Sequence, residues 1–304
     1  MGILVVRRGI IQMAERKKKR VNKVLVTGGC GFIGRALTNE LIKRGYEVDV
    51  IDNLSIGSES VIPEGCTFLR GDIRAMDSIG DYPYKYIFHL AALSRIQPSF
   101  EKPFLTFSIN VDGTRQVIEY AERNGSKLIF ASSSSIHNGG ATSPYTMSKL
   151  MGEQWCKLYA FNYGLNVHIA RLYNVYGEDE LVNSHMAAVI GLFRRAISKG
   201  EPMLVHGNGK QRRDFTHIGD TIDGLIRIAE YDNVSYEIWE LGTGSHYSIN
   251  DVFDMFQKRF PQLEKRFVAD VNGNYRDSLC TDKKAVNILG WNPTDKLKEY
   301  INTL

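Results

Sequence analysis

Residues 23–34 read KVLVTGGCGFIG, and the fold follows from how this stretch divides. Lys23 to Thr27 is an apolar run of strand length, and Phe32, Ile33, Ala36, Leu37, Leu41 and Ile42 recur at helical spacing directly after it. A strand therefore runs into a helix through glycines. Gly28, Gly31 and Gly34 fall three apart, so the turn can take positive φ, a pyrophosphate can approach the backbone, and the helix can pack closely on the strand. Phosphates would sit on the helix N-terminus, where free N–H groups and the dipole favour negative charge. The competing reading is an ordinary strand–helix turn with a glycine cap. A second strand-like run, Tyr46 to Ile51, ends in Asp52, close to the ~20-residue offset at which a carboxylate meets an adenosine ribose. Strand, glycines, helix, strand and acid in this order favour a dinucleotide site. Asp52 would repel a 2′-phosphate and no arginine follows in DNLSIG, which selects NAD over NADP.

At 304 residues the chain is long enough for one large α/β domain plus a smaller lobe. Its 43% hydrophobic and 24% charged content is that of a soluble globular protein, and no apolar run approaches the ~20 residues of a membrane span. The four cysteines, Cys30, Cys66, Cys156 and Cys280, are scattered without metal-ligand spacing, which suits reduced thiols in a cytoplasmic compartment and predicts no metal. The net charge of +4 is concentrated in residues 1–20, where Arg7, Arg8, Arg16, Lys17, Lys18, Lys19 and Arg20 face only Glu15. This leader reads as a solvated extension, or as an upstream start with the true start at Met13, rather than a nucleic-acid-binding or targeting segment.

After Asp52, strand and helix patterns keep alternating, which implies a doubly wound parallel sheet covered on both faces. Cys66 to Arg70 reads as a third strand, followed by Gly71-Asp72-Ile73 at the edge where an adenine could lie; Asp72 is an adenine contact or a helix cap. A fourth strand, Tyr86 to Leu90, continues into Ala91 and Ala92, small residues that let backbone come close to a cofactor. Pro103 opens a long helix to about Asn124 that carries Asn110. A fifth strand, Lys127 to Ala131, ends in Ser132, Ser133, Ser134 and Ser135, at the strand end where ligands bind in such sheets. The alternative for these serines is a polar loop with a helix cap.

Ser143-Pro144-Tyr145-Thr146-Met147-Ser148-Lys149 then leads into an amphipathic helix reaching about Tyr163. Tyr145 and Lys149 are four apart and share a helix face. An ammonium beside a phenol favours the phenolate, which lowers the tyrosine from ~10 toward working pH and makes it a general base. From Tyr176 onward the pattern turns irregular, as expected of a lobe over the sheet's C-terminal edge. The predicted division is a leader over 1–20, a nucleotide domain over 21–175 with 213–235 returning to it, and a lobe over 176–304.

TGGCGFIG, Asp52, GDI at 71–73, HLAA at 89–92, Asn110, the serine run, SPYTMSK, RLYNVYG at 171–177, RRDFTH at 212–217 and LGTG at 241–244 follow one another in a family's order. Together they resemble the extended short-chain dehydrogenase/reductases that act on nucleotide sugars, and within them the UDP-glucose 4-epimerase branch. The likeness runs from about Asn22 to the C-terminus. It implies a Rossmann domain with a smaller C-terminal α/β substrate lobe, and a homodimer built on the helices near 103–124 and 145–163. It also implies that Gly28, Gly31, Phe32, Ile33, Gly34, Asp52, Asn53, Asp72, Ile73, Leu90, Ala91, Ala92, Asn110, Tyr145 and Lys149 hold NAD. Ser133, Tyr145 and Lys149 become the catalytic set. Ser133, Ser134, Asn174, Arg213, Arg276 and Ser278 become substrate contacts; without the resemblance Asn174 is a polar loop residue and Arg213 a strand-edge charge.

Three departures stand out. Ser133 and Tyr145 are only twelve apart, which shortens the pocket roof. Val271 stands where an arginine for the diphosphate is common, so Arg276 or Arg212 replaces it or affinity is lower. Ser278 leaves room for an N-acetyl group where bulk tends to exclude one. Related 4,6-dehydratases need an acidic pair after the catalytic hydroxyl, and here Ser134 and Ser135 stand there. The expectation is an NAD-dependent nucleotide-sugar 4-epimerase of the UDP-glucose/UDP-galactose type. The alternatives are a UDP-N-acetylhexosamine 4-epimerase, an NAD-dependent dehydratase or, from another class, a non-catalytic NAD-binding protein.

Overall fold

The computed structural model describes residues 22–56, 58–182 and 186–304; the basic leader and its alternative start at Met13 lie outside the described residues. Seven parallel strands form the central sheet: β1 (Lys23–Thr27), β2 (Glu47–Asp52), β3 (Thr67–Arg70), β4 (Tyr86–His89), β5 (Lys127–Ser133), β6 (Val167–Leu172) and, joining last, β11 (Tyr236–Leu241). Their order is β11-β6-β5-β4-β1-β2-β3. The order reverses between β1 and β4, and at such a switch point the loops of neighbouring strands part to opposite faces and leave a crevice. Register brings Thr27, His89 and Phe130 level across β1, β4 and β5, so Gly28 and Leu90 leave the sheet together, while β5 runs on beside β6 to Ser133.

Alternation within the strands divides the core. Val24, Val26, Val48, Val50 and Phe88 point to the face covered by α1 (Phe32–Lys43) and α7 (Ile218–Glu230), through Leu37, Leu41, Ile222 and Leu225. Leu25, Ile51, Ile87, Leu128 and Phe130 point to the other face, with Val117, Ile118 and Cys156. Each fully buried side chain of this kind is worth about 1.5–3 kcal/mol. The second face is covered by one long helical rod and by α5 (Pro144–Tyr163). The rod comprises α3 (Pro103–Phe107), a π-helical turn (Ser108–Gly113) and α4 (Thr114–Arg123). Asn110 sits in that turn, and the Thr114 hydroxyl donates back to its carbonyl at 2.6 Å. α5 begins sharply because the Ser143 hydroxyl accepts from the Thr146 amide and Pro144 opens the helix; it ends at Gly164, whose φ of +71° a side chain would resist.

A separate core forms the lobe. Phe193 of α6 (Val189–Lys199) stacks on Phe256 of α8 (Ile249–Arg259), with Val205 of β8 (Met203–His206) and Ile301 of α10 (Leu297–Thr303) beside them. The small pairings β7 (Val175–Tyr176) with β10 (Thr216–His217), β9 (Arg212–Asp214) with β12 (His246–Ser248), and β8 with β13 (Lys265–Val268) tie the lobe together. The chain's return to the large sheet extends past the predicted limit at 235. β11 pairs with β6 from Tyr236 to Leu241, and Ala285 of α9 (Lys284–Leu289) and Trp291 are buried in the same core as β1. YEIWEL mixes charges into an apolar run because it is an edge strand, which weakens its signal in the sequence. Among the described residues no helix is long and apolar enough to cross a membrane. The four cysteines are unpaired.

Candidate active site

One cleft of about 930 Å³ opens at the switch point, between the sheet's C-terminal edge and the lobe. Its floor at one end is the turn from β1 into α1. Gly28 has φ +71°, and a Cβ there would meet the Ala91 amide nitrogen at 2.7 Å. At Gly34 a Cβ would lie 2.1 Å from the Gly28 carbonyl oxygen, so the helix packs on the turn only because hydrogen replaces a side chain. Gly31 caps α1 without a side-chain acceptor, and the first turn holds no acidic residue. Its amides thus face the cleft with the positive end of the dipole, as an anionic diphosphate requires. This bare cradle fits the pyrophosphate of NAD.

Asp52 closes the cradle from β2. Its carboxylate accepts from the Cys30 amide at 3.0 Å and the Leu54 amide at 2.8 Å, which fixes both turns around it. Asp72 accepts from the Arg74 side chain and amide and from Asn53, and the Arg74 guanidinium holds its carboxyl down at about 2. It therefore caps the turn after β3 while also lining the cleft with Asn53 and Ile73. Leu90, Ala91 and Ala92 line the opposite wall.

Asn110 does not line the cleft. It is 1% exposed, with Oδ1 accepting from the Leu93 amide at 2.8 Å and Nδ2 donating to the Leu93 carbonyl and to Ser148 Oγ, both at 3.0 Å. It clamps the loop after β4 to the helix that carries Tyr145, so its place is behind the cleft wall. His89 lies beneath the same wall, bridging Thr27 and Thr114 hydroxyls; burial pushes it down to about 3, and it stays neutral.

Ser133, Ser134, Tyr145 and Lys149 all line this cleft. The expected lowering of the tyrosine by the lysine is not found. Burial is the largest influence on Tyr145 and holds the phenol above its ordinary value, while a hydrogen bond with Ser133 and the charge of Arg95 pull the other way. Lys149 instead donates from Nζ to the Ala131 carbonyl at 2.8 Å, over the Phe130 ring, and burial brings its own pKa down to about 8. A side chain on the shared helix face is thus diverted to the backbone of β5.

The substrate end is assembled from distant segments. Asn174 lines it at φ +24°, a strained value for a non-glycine, held by donation from Nδ2 to the Asp214 carbonyl at 2.8 Å. Asp214 is in turn fixed by the Thr243, Gly244 and Cys280 amides. Arg213 lines the cleft with its guanidinium 3.8 Å over Tyr275 and donates to Asn274 Oδ1 at 2.9 Å. Arg276 and Ser278 do not line it. The Arg276 side chain is 70% exposed and pairs with Asp270 at 3.4 Å, because β9 and its neighbours use its backbone, through the Arg212 amide, and turn the side chain outward. Ser278 is buried behind β9, its carbonyl accepting from the Asp214 amide. Arg212 is likewise absent from the wall where Val271 lies, so neither arginine replaces the missing one.

Arg95, Glu180 and Arg195 line the cleft although nothing in the sequence singled them out. Arg95 donates from Nε to the Met186 carbonyl at 2.7 Å. Glu180 packs against Gly191 in the first turn of α6, and burial raises its carboxyl to about 7 against the pull of Arg95. SRIQPS and EDEL carry no periodicity, and only a charged residue flanked by cleft-forming motifs could have pointed to them. Among the described residues no group of three His, Cys, Asp or Glu side chains is placed to hold a metal.

A doubly wound sheet with a glycine cradle, a ribose carboxylate and a Ser–Tyr–Lys corner defines a dinucleotide-dependent enzyme. Residues 24–242 match the NAD dependent epimerase/dehydratase family, and the chain belongs to that family, with NAD as its cofactor. It is 32% identical over 295 residues to a putative UDP-glucose 4-epimerase of Methanocaldococcus jannaschii, covering 91% of this chain and 95% of that one. It is 34% identical over 256 residues to a UDP-N-acetyl-alpha-D-glucosaminuronate decarboxylase of Bacillus cytotoxicus, covering 76% and 78%. A crystal structure of UDP-glucose 4-epimerase from Thermotoga maritima with UDP-glucose superposes with a TM-score of 0.85 at 28% identity, covering 92% and 96%.

Proposed function

We propose that the chain is a nucleotide-sugar 4-epimerase of the UDP-glucose/UDP-galactose type. The observation that carries the reading is the convergence of Ser133, Tyr145 and Lys149 on the same cleft as the glycine cradle. At about 930 Å³ that cleft is near the top of the ~300–1,000 Å³ range of ligand sites, which suits a cofactor and a substrate lying end to end. Tyr145 takes the proton of the sugar 4-hydroxyl while Ser133 hydrogen-bonds the same oxygen. When bound, NAD supplies the hydride acceptor for C4 and is regenerated in the same turnover. The cleft leaves room for the 4-keto sugar to turn and present its other face, and Tyr145 gives the proton back to the oxygen. The Ser133 hydrogen bond and the charge of Arg95 favour the phenolate, Lys149 on the Ala131 carbonyl is placed for the nicotinamide ribose, and Arg213 with Asn174 meets the nucleotide diphosphate and fixes the pivot.

Ser134 and Ser135 support epimerisation over dehydration, since two buried hydroxyls cannot act as an acid/base pair. Anaerobic incubation with UDP-glucose, UDP-N-acetylglucosamine and their GDP and dTDP counterparts, read by NMR, tests the reading. Interconversion of gluco and galacto forms without net NADH is expected. Conversion confined to the acetylated sugar would move the substrate to N-acetylhexosamines, a deoxy product would make the enzyme a dehydratase, and an unchanged panel would leave an NAD-binding protein.

The same proposal includes a homodimer. Phe104 of the rod is 89% exposed and Phe161 of α5 is 68% exposed, with Leu105, Leu158 and Tyr163 also open to solvent on these two packed helices. Large apolar side chains left open to solvent on two adjoining helices are what a partner surface covers. Sedimentation at micromolar concentration should give a dimer that Phe161→Glu dissociates; a monomeric wild type would refute it.

A further inference from the structure

The hydroxyls behind Ser133 form a chain that the scheme above does not use. Ser143 Oγ accepts from the Thr146 amide at 3.1 Å as the cap of α5, and donates to Thr146 Oγ1 at 2.9 Å. Thr146 Oγ1 donates to Ser135 Oγ at 3.1 Å. Ser135 Oγ lies 2.9 Å from Ser133 Oγ, and the Ser135 amide donates to the same Ser133 oxygen at 3.2 Å. All four residues are buried.

Proton bookkeeping gives the chain a direction. Each hydroxyl has one proton. The proton of Ser143 goes to Thr146 and that of Thr146 to Ser135. A phenolate can only accept, so when Tyr145 is ionised the proton of Ser133 belongs to Tyr145 or to the substrate oxygen. The contact between the two serines is then made by the proton of Ser135. Every hydroxyl from the helix cap to the cleft therefore donates the same way, and in a dry site such bonds polarise one another by ~10–30% each. Among the described residues the charged and titratable groups that face Tyr145 from elsewhere are Arg95, ahead of α2 (Ile96–Glu101), and Tyr275 of the lobe; Lys149 lies one turn along its own helix. The Ser143–Thr146–Ser135 chain includes none of them.

We propose that Thr146 is a positioning residue for the epimerisation, relaying the hydroxyl chain from Ser143 through Ser135 so that the Ser133 proton is aimed at Tyr145 and the sugar 4-oxygen. The proposal rests on the reading of Ser133 and Tyr145 as the acid/base pair. Thr146→Val keeps the shape and removes the hydroxyl; Thr146→Ser restores it. The holoenzyme is titrated by ultraviolet difference spectroscopy, with Tyr145→Phe as the reference that isolates the one phenolate. In parallel, kcat and KM are measured against pH on the sugar the wild type converts. In Thr146→Val the Tyr145 midpoint and the acid limb of kcat should both move to higher pH. Its kcat should fall about fivefold to tenfold, the size of one lost hydrogen bond, with KM within about twofold. Thr146→Ser should behave as wild type. Should Thr146→Val fail to fold, Ser135→Ala breaks the next link and should show the same two shifts. A Tyr145 midpoint unchanged in a folded, NAD-loaded variant would overturn the proposal, as would a defect that Thr146→Ser does not repair. A wild type inactive on every sugar would instead remove the epimerase reading, while the spectroscopic titration would still decide the relay.

Discussion

The two ends of the cleft are built on different principles. At the cofactor end, each wall is the end of a strand and the turn that follows it, and the decisive contacts are short in sequence, such as Gly34 against Gly28. At the substrate end, Arg213 is held by Asn274 and Tyr275, and Asn174 by Asp214, partners that tens of residues separate. The first end is fixed by backbone geometry, which tolerates almost no side-chain change. The second is fixed by side chains holding one another, which tolerates variation and lets one scaffold serve different sugars.

The contrast is sharpest where the ends meet. Tyr145→Phe should lower kcat by ~10²–10⁴-fold while NAD content and substrate affinity stay near wild type, because the ring packing survives and only the proton carrier is lost; single-turnover absorbance of bound NADH checks it. Gly34→Ala attacks the cofactor end alone. With a Cβ 2.1 Å from the Gly28 oxygen, the helix must shift, and the variant should lose about 2 kcal/mol of stability and purify without NAD, seen in thermal melts with and without added cofactor. Arg213→Leu attacks the other end and should raise KM about tenfold or more at nearly constant kcat, whereas Arg276→Ala, facing solvent, should stay within about twofold. A reversed pair of results would break the assignment of the substrate end.

A pH experiment separates the ends once more. His89 is lowered to about 3 in the fold, whereas an unfolded histidine titrates near 6.5. The unfolded chain binds the extra proton between these values, so stability is full above about 6.5 and is lost as pH falls toward 3. One such group costs at most ~1.4 kcal/mol per pH unit. Urea unfolding at pH 7 and pH 5 should show a smaller loss in His89→Gln than in wild type; equal losses would mean that His89 is not held neutral.

The cofactor end was legible because its demands are written in neighbouring residues: three glycines at one spacing, and an acid at the end of the next strand. The doubly wound parallel sheet was legible for the same reason, since its strands and helices alternate in order. Tyr145 and Lys149 were readable as a pair, but their electrostatics were not. Whether the ammonium turns to the phenol or to the Ala131 carbonyl depends on how β5 passes beneath the helix. Arg276 and Ser278 misled because a linear match gives a position along the chain and not the side from which the backbone passes the cleft. Arg95 and Glu180 escaped notice because a lone charge looks the same in sequence whether it faces water or a wall.

The late return of the chain bears on how the molecule is made. The sheet acquires its last strand at Tyr236–Leu241, and Trp291 closes the same core from still further along. A nascent chain that has emerged as far as Glu230 therefore carries β6, VHIARL, as a bare sheet edge rich in apolar side chains, open to pairing with another chain. The nucleotide-binding half is encoded first but gains its last strand only from within the lobe's stretch of sequence, so the β6 edge stays uncovered during synthesis until Tyr236–Leu241 has emerged.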